Sequence, residues 1–233
     1  RIDLHDQGGV DIARACATAS AGNLARWLTA LPPNLLDARG YRTLLARLAR
    51  RHRLGFRWWN EAALRRAGAG AFLAVAAGNA ARDAGIAQLS YRPRTSRRRR
   101  VRRGPDVALV GKGILFDTGG TNLKPHRSML DMHTDMAGSA VALALLLALA
   151  QLEAPFAIDC WLAITENRIG PTAYRPQDVV RACNGTTIQV IHTDAEGRMA
   201  LADTLALAAR REPRFILDFA TLTGACVYAL TER

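Results

Sequence analysis

Val107 to Phe116, VALVGKGILF, is apolar throughout except for one lysine, and Asp117-Thr118-Gly119-Gly120 stops it. A run of that length, bounded by turn residues, predicts the central strand of a sheet. Downstream of it, helix and strand signals alternate. Helical spacing, or a turn leading into a helix, covers Ser128–Ala150. Strand signals cover Phe156–Thr165, Thr186–Ile191 and Phe215–Phe219, with a helix predicted over Met199–Arg211. That order predicts an α/β fold: a mixed, largely parallel central sheet flanked by helices.

Upstream, Asp11–Leu31 has near-helical apolar spacing and ends at Pro32-Pro33. Asp37 is placed to cap a helix running to Arg51, and Asn60 to cap a short one that closes at Gly68. Gly55–Trp59 and Ile86–Tyr91 read as strands. Ala71–Ala77 fits a strand or a helix equally, and Asp178 is expected to start a short helix. The 233 residues, 49% hydrophobic, suffice for one large α/β domain or two small ones. Cys16, Cys160, Cys183 and Cys226 are far apart and form no CxxC pair. They read as reduced thiols in a cytoplasmic protein, each a small buried hydrophobe. No segment reads as a signal peptide, and the longest apolar run, Ala140–Ala150, is too short for a membrane span. A start at Arg1 and a stop soon after a strand signal lead us to expect an excerpt of a longer protein.

The net charge is +12, but eight of the arginines lie between Arg92 and Arg103, and without them the balance is +4. Two readings stand for this run: a phosphate-binding patch, or the solvated tip of a hairpin between the strands at 86–91 and 107–116. Single-stranded nucleic acid is gripped by charges interleaved with aromatic platforms, and only Tyr91 is close, so the loop is favoured.

Of the 32 basic residues only Lys112 and Lys124 are lysine. Where arginine has replaced lysine everywhere else, these two positions are expected to need what arginine lacks. An ammonium can lose its proton and acts as a compact point donor. Gly111-Lys112 is no phosphate loop, because the GxxxxGK[ST] spacing is missing and the lysine lies within a strand. Asp117 follows one predicted strand and Asp194 and Glu196 another, while Asp135 begins the helix between them. Sites in such sheets form at strand carboxyl ends. Four carboxylates meeting there would repel one another unless divalent cations joined them. The alternative is four unrelated caps and turn residues. Asp131, four residues before Asp135, would share its helix face.

GKGILFDTGGTNLKP, MHTDMAG, HTDAEGRMALAD and DFATLTGA resemble, in order and spacing, the leucine aminopeptidase (cytosol aminopeptidase) family. NLARWLTALPPN resembles it more weakly. The family signature is NTDAEGR, and His192 here stands in place of its asparagine. The resemblance implies that residues 1–233 belong to a catalytic domain, with 1–35 a helix leading in from a small N-terminal domain. It implies that the N-terminal domain and the C-terminal end of the catalytic domain fall outside this sequence. It implies two divalent ions, Mn²⁺, Zn²⁺ or Mg²⁺, held by Lys112, Asp117, Asp135, Asp194 and Glu196 at strand carboxyl ends. Lys124 and Arg198 would be catalytic, the arginine holding a bicarbonate, and Thr221 and Leu222 would present backbone groups to the substrate. His126 and His133 have no ligand role in this resemblance. The implied activity is removal of the N-terminal residue from peptides by a homo-hexamer; the alternative is a DNA-binding or otherwise non-catalytic member that uses the Arg92–Arg103 cluster. From the residues themselves, nucleic acid is a partner less favoured than peptide, and no membrane partner is expected.

Overall fold

The computed structural model describes residues 11–93 and 104–231. In chain order these form α1 (Ile12–Ala30), α2 (Ala38–Arg51), β1 (Gly55–Asn60), α3 (Glu61–Ala67), α4 (Gly70–Ala76), β2 (Gly85–Tyr91) and β3 (Val107–Asp117). Next come α5 (His126–Met129), α6 (Ala137–Gln151), β4 (Ile158–Asn167), β5 (Val179–Arg181), β6 (Thr187–Gln189), α7 (Glu196–Ala209), β7 (Phe215–Phe219) and α8 (Ala225–Leu230). One five-stranded sheet runs in the order β1-β2-β4-β3-β7. β3 pairs in parallel with β4 and β7, while β2 pairs antiparallel with β1 and β4. Only β2 therefore runs against the rest, and the sheet is mixed and largely parallel.

Strand alternation splits the core into two layers. Leu89, Leu109, Cys160 and Leu162 face α1, α2 and α6, where Leu28, Tyr41, Leu45, Leu143 and Leu146 cover them. Ile86, Val110, Trp161 and Ala163 face the other way, under Leu64, Phe72, Val75, Leu201 and Leu207 of α3, α4 and α7. α6 presses closest. A Cβ added at Gly111 would lie 2.6 Å from the Ser139 Cα, so only glycine lets the helix reach the strand. Ala140–Ala150 is thus core, buried against the sheet through Ala140, Ala142, Leu143, Leu146 and Leu147. α1 packs on α6, with Leu24, Ala25 and Leu28 in the same apolar layer.

Several sequence expectations change. β2 and β3 are not a hairpin, because β4 lies between them. The arginine run beyond Pro93 lies outside the described residues. Ala71–Ala77 resolves as helix α4, whose Phe72 amide donates to the buried Asp203 carboxylate at 2.8 Å. Asp178 precedes a strand, not a helix. β5 and β6 form a separate antiparallel ribbon that closes with Val190 N–H donating to Asp178 O at 2.9 Å. Ser128–Ala150 takes the second of its two readings, a turn leading into a helix: the end of α5, then a 3₁₀ turn at Met132–Thr134, then α6. Asp131 and Asp135 flank that turn, so they share no helix face; Asp131 is exposed and Asp135 buried. Of the four cysteines only Cys160 is fully buried; Cys183 is half-buried, and Cys16 and Cys226 are exposed.

Candidate metal centre

The centre lies where β7 ends. Gly111 pairs with Phe219, the last residue of β7, so the next side chain on β3, Lys112, passes over the end of its neighbour. Its ammonium contacts three elements. Nζ lies 2.8 Å from Asp135 Oδ1, 3.0 Å from Glu196 Oε1 and 2.9 Å from the Thr221 carbonyl. Asp135 arrives from the α6 side of the sheet, while Glu196 is the first residue of α7 on the other side. The lysine thus joins both helical layers at one point. Gly197 makes room for it, since a Cβ there would sit 2.7 Å from Lys112 Cε. Lys112 is 2% exposed.

A second lysine sits beside the first. Lys124 Nζ lies 3.0 Å from Asp117 Oδ2 and also pairs with Asp194 Oδ1. Asp117 is the last residue of β3. Its Oδ1 accepts from Gly119 N–H and from Asn167 Nδ2, each at 2.8 Å. Asp194 sits in a 3₁₀ turn, Thr193–Ala195, between β6 and α7. Asp194 and Glu196 therefore follow a ribbon strand, not a strand of the central sheet as sequence order suggested. The sheet supplies Asp117, and α7 carries Glu196 in. Thr193, the hub of the outer loops, donates from Oγ1 to Gly119 O at 2.6 Å and accepts there from Asn122 N–H at 2.8 Å.

Oxygens of Asp117, Asp135 and Glu196 all lie within 4.8 Å of one another, and all three residues are buried. Two ammonium groups balance half of four carboxylates. Asp135 Oδ2 and Glu196 Oε2 are buried with no hydrogen-bond partner. Unpartnered buried carboxylate oxygens are costly unless a cation meets them, so the donor set fits divalent ions. Burial pushes the Asp135 carboxyl up to about 7, with Lys112 opposing and Glu196 adding to the rise. Burial also raises Glu196 and Asp194 against the pull of Lys112 and Lys124 respectively. For the lysines burial acts downward, but their carboxylate partners outweigh it, and both lie above the ordinary lysine range.

Of the remaining expected site residues, Arg198 is exposed on the first turn of α7 and joins none of these ion pairs. Thr221 and Leu222 come after β7 and are exposed. The Thr221 hydroxyl also donates to Asp135 Oδ1 at 2.8 Å, a side-chain contact that no sequence pattern announced. His192 caps the 3₁₀ turn, with Nδ1 accepting from the Asp194 N–H at 3.2 Å. This is a bond an asparagine side chain could also make. His126 is exposed and His133 partly buried. A cavity of about 350 Å³ opens beside Lys124 and Asp194, walled also by Leu123, Ser128 and His192. Sequence reasoning passed over Asn167, Tyr174 and Thr193. Tyr174 donates to the Thr193 carbonyl at 2.6 Å. Arg92, the one arginine of its run within the described residues, pairs with buried Asp159 at 2.7 Å, well away from the centre.

A model of the cytosol aminopeptidase family, catalytic domain, matches residues 23–233. It begins at Asn23, where the weaker upstream resemblance begins. A probable cytosol aminopeptidase of Leifsonia xyli subsp. xyli is 40% identical over 232 residues, covering 100% of this chain and 45% of that protein. One from Streptomyces coelicolor is 40% identical over 222 residues, covering 95% of this chain and 41% of its own length. One from Stutzerimonas stutzeri is 42% identical over 236 residues, covering 98% and 45%. The chain thus spans less than half the length of these relatives.

Proposed function

The chain belongs to the cytosol aminopeptidase family, and from that premise we propose that it forms the catalytic part of a cytoplasmic metallo-aminopeptidase that removes the N-terminal residue from peptides. The observation that carries this reading is the pairing of two lysines with four carboxylates, two of whose oxygens are buried and unpartnered. Lys112, Asp135, Asp117 and Glu196 would hold one divalent ion, and Asp117, Asp194 and Glu196 the other. Such ions, Mn²⁺, Zn²⁺ or Mg²⁺, polarise a carbonyl and acidify a water near neutral pH.

The chain's own groups do the rest. Lys112 holds a proton while it faces Asp135 and Glu196 alone. With a divalent ion held by these carboxylates, Lys112 would serve as a neutral amine ligand, a state closed to arginine. Lys124, which lines the cavity, would act as a point donor to the oxygen of a scissile carbonyl as charge develops on it. Comparable donors are worth about 3 kcal/mol. Thr221, whose carbonyl and hydroxyl reach Lys112 and Asp135, and Leu222 beside it would hold the peptide backbone. Arg198 would hold a bicarbonate that moves the proton to the leaving amine. Assembly as a homo-hexamer of the full-length protein belongs to the same reading.

The test is hydrolysis of leucyl and other aminoacyl chromogenic amides by the full-length protein, with chelator and then with added Mn²⁺. Metal-dependent release from free-amine substrates and none from N-acetylated ones is expected. Equal cleavage of both would contradict it. Retention of duplex DNA at moderate salt, without any hydrolysis, would favour the arginine run as the working element.

A further inference from the structure

Asn167 is the last residue of β4, is 0% exposed, and stands opposite Asp117 in the sheet register. Its Nδ2 gives one hydrogen bond to Asp117 Oδ1 at 2.8 Å and another to the Thr193 carbonyl at 3.1 Å. Its own carbonyl accepts from Thr118 N–H at 3.0 Å and from Thr118 Oγ1 at 2.8 Å. One residue therefore ties the turn after β3 to the segment that carries Asp194.

The amide can sit only one way round. Turned over, Oδ1 would face a carboxylate and a carbonyl, two acceptors with no proton between them. In the orientation observed, Oδ1 is the atom left without a partner. It is wedged against Gly120, where an added Cβ would come within 3.1 Å. Leaving that oxygen unpaired in the interior is unfavourable. It is tolerated here because the two N–H donors are both used, and used on the two segments that carry the outer carboxylates. A hydroxyl could serve only one of them, and an ammonium would add charge beside Lys124.

We propose that Asn167 is the positioning residue that sets the spacing between Asp117 and Asp194, and so decides whether the outer cation can be held. The inference rests on the two-cation reading of the centre. It assigns Asn167 no contact with the substrate. Groups that orient metal ligands in this way are commonly worth 10–100-fold in metal affinity.

Asn167→Asp keeps the shape and removes both donors, and Asn167→Ala removes the amide altogether. In the full-length protein, Mn²⁺ titration by calorimetry with elemental counting should show the ion that needs Asp194 held about 10–100-fold less tightly, and the ion bound through Lys112 weakened less, since Asp117 serves both. Hydrogen exchange on the metal-free variants gives a second readout. Amides of Asn122 and Thr193 should lose protection while those of α6 keep theirs. Two ions at unchanged affinity in both variants would overturn the proposal. So would loss of protection spread evenly over α6 and the outer loops, which marks general destabilisation. If the unaltered protein takes up no ion pair, the aminopeptidase reading fails by itself. The exchange pattern then decides Asn167: a change confined to the 117–122 and 193 segments keeps its positioning role, and no change removes it.

Discussion

Lys112 and Lys124 make the same kind of contact, an ammonium shared by two carboxylates, in two unlike settings. Lys112 projects from the interior of β3, and its partners lie at the starts of α6 and α7. Both helices are packed into the core, so this half cannot shift without unpacking the sheet. Lys124 comes from the loop after β3, and its side chain is 14% exposed against 3% for Lys112. Its partner Asp194 is carried by a 3₁₀ turn held in place by hydrogen bonds from Asn167 and Asn122 to Thr193. The inner half is fixed by packing and the outer half by polar bonds. The difference suits their proposed tasks: one anchors an ion, and the other must meet a substrate at a cavity.

The sharpest way to break this contrast is Lys112→Met. It leaves Asp135 and Glu196 as buried charges without a partner, and about 3–5 kcal/mol of stability should be lost in the metal-free protein. Lys124→Met should cost less, about 1–3 kcal/mol, because Asp117 keeps its hydrogen bonds from Gly119 and Asn167 and Asp194 is partly exposed. Urea unfolding measures both, and equal losses would erase the distinction. Next in size is Lys124→Arg. It keeps the charge yet replaces a point donor with a fork, so kcat should fall about 100-fold while the metal count stays at wild type. Near-normal turnover would remove the point-donor role.

Gly197→Ala probes the inner half from the side. Its Cβ would lie 2.8 Å from Lys112 Nζ. Overpacking of that kind costs about 1–3 kcal/mol, and the ion bound through Lys112 should be lost first. Loss of the other ion first would contradict the assignment. The pH dependence of the metal-free protein tests the same buried acids without a substitution. Asp135 titrates near 7 when folded, far above its ordinary value, so the folded state holds an extra proton between about pH 4 and 7. Asp135 then contributes a loss of stability as pH rises through that window, and the raised Glu196 and Asp194 act in the same direction. Both lysines shift upward, so their contribution is intact throughout this range and fades only at alkaline pH. Urea midpoints in chelator should be lower at pH 7.5 than at pH 5. Saturating Mn²⁺ should remove or reverse that slope. A midpoint that climbs with pH in chelator would contradict the buried carboxylate cluster.

The inner half is legible in the sequence because its signals are local. Lysine inside an apolar strand, and an acid just before an apolar helix, stand out against their own neighbours. The outer half is legible only in its charged members, Lys124, Asp117 and Asp194; the residues that hold them, Asn167, Thr193 and Tyr174, are ordinary residues at the ends of strands and loops. Their importance comes from who meets them across 19 to 74 positions of chain, as in the Tyr174–Thr193, Asn167–Thr193 and Gly119–Thr193 bonds. The same limit explains the misjudged hairpin. Two adjacent strand signals at 86–91 and 107–116 imply pairing only if no later strand enters between them, and β4 does. Val179–Arg181 reads locally as the start of a helix because three residues carry no period. Its partner Thr187–Gln189 is what makes it a strand.

The decisive measurement is a crystal structure of the full-length protein grown with Mn²⁺, with ions placed by anomalous scattering. The account predicts two ions roughly 3.5–4 Å apart, one bound to Lys112 Nζ, with that nitrogen withdrawn from its pairing with Asp135 and Glu196. A Lys112 still paired to both carboxylates, with the ions absent or held elsewhere, would contradict it.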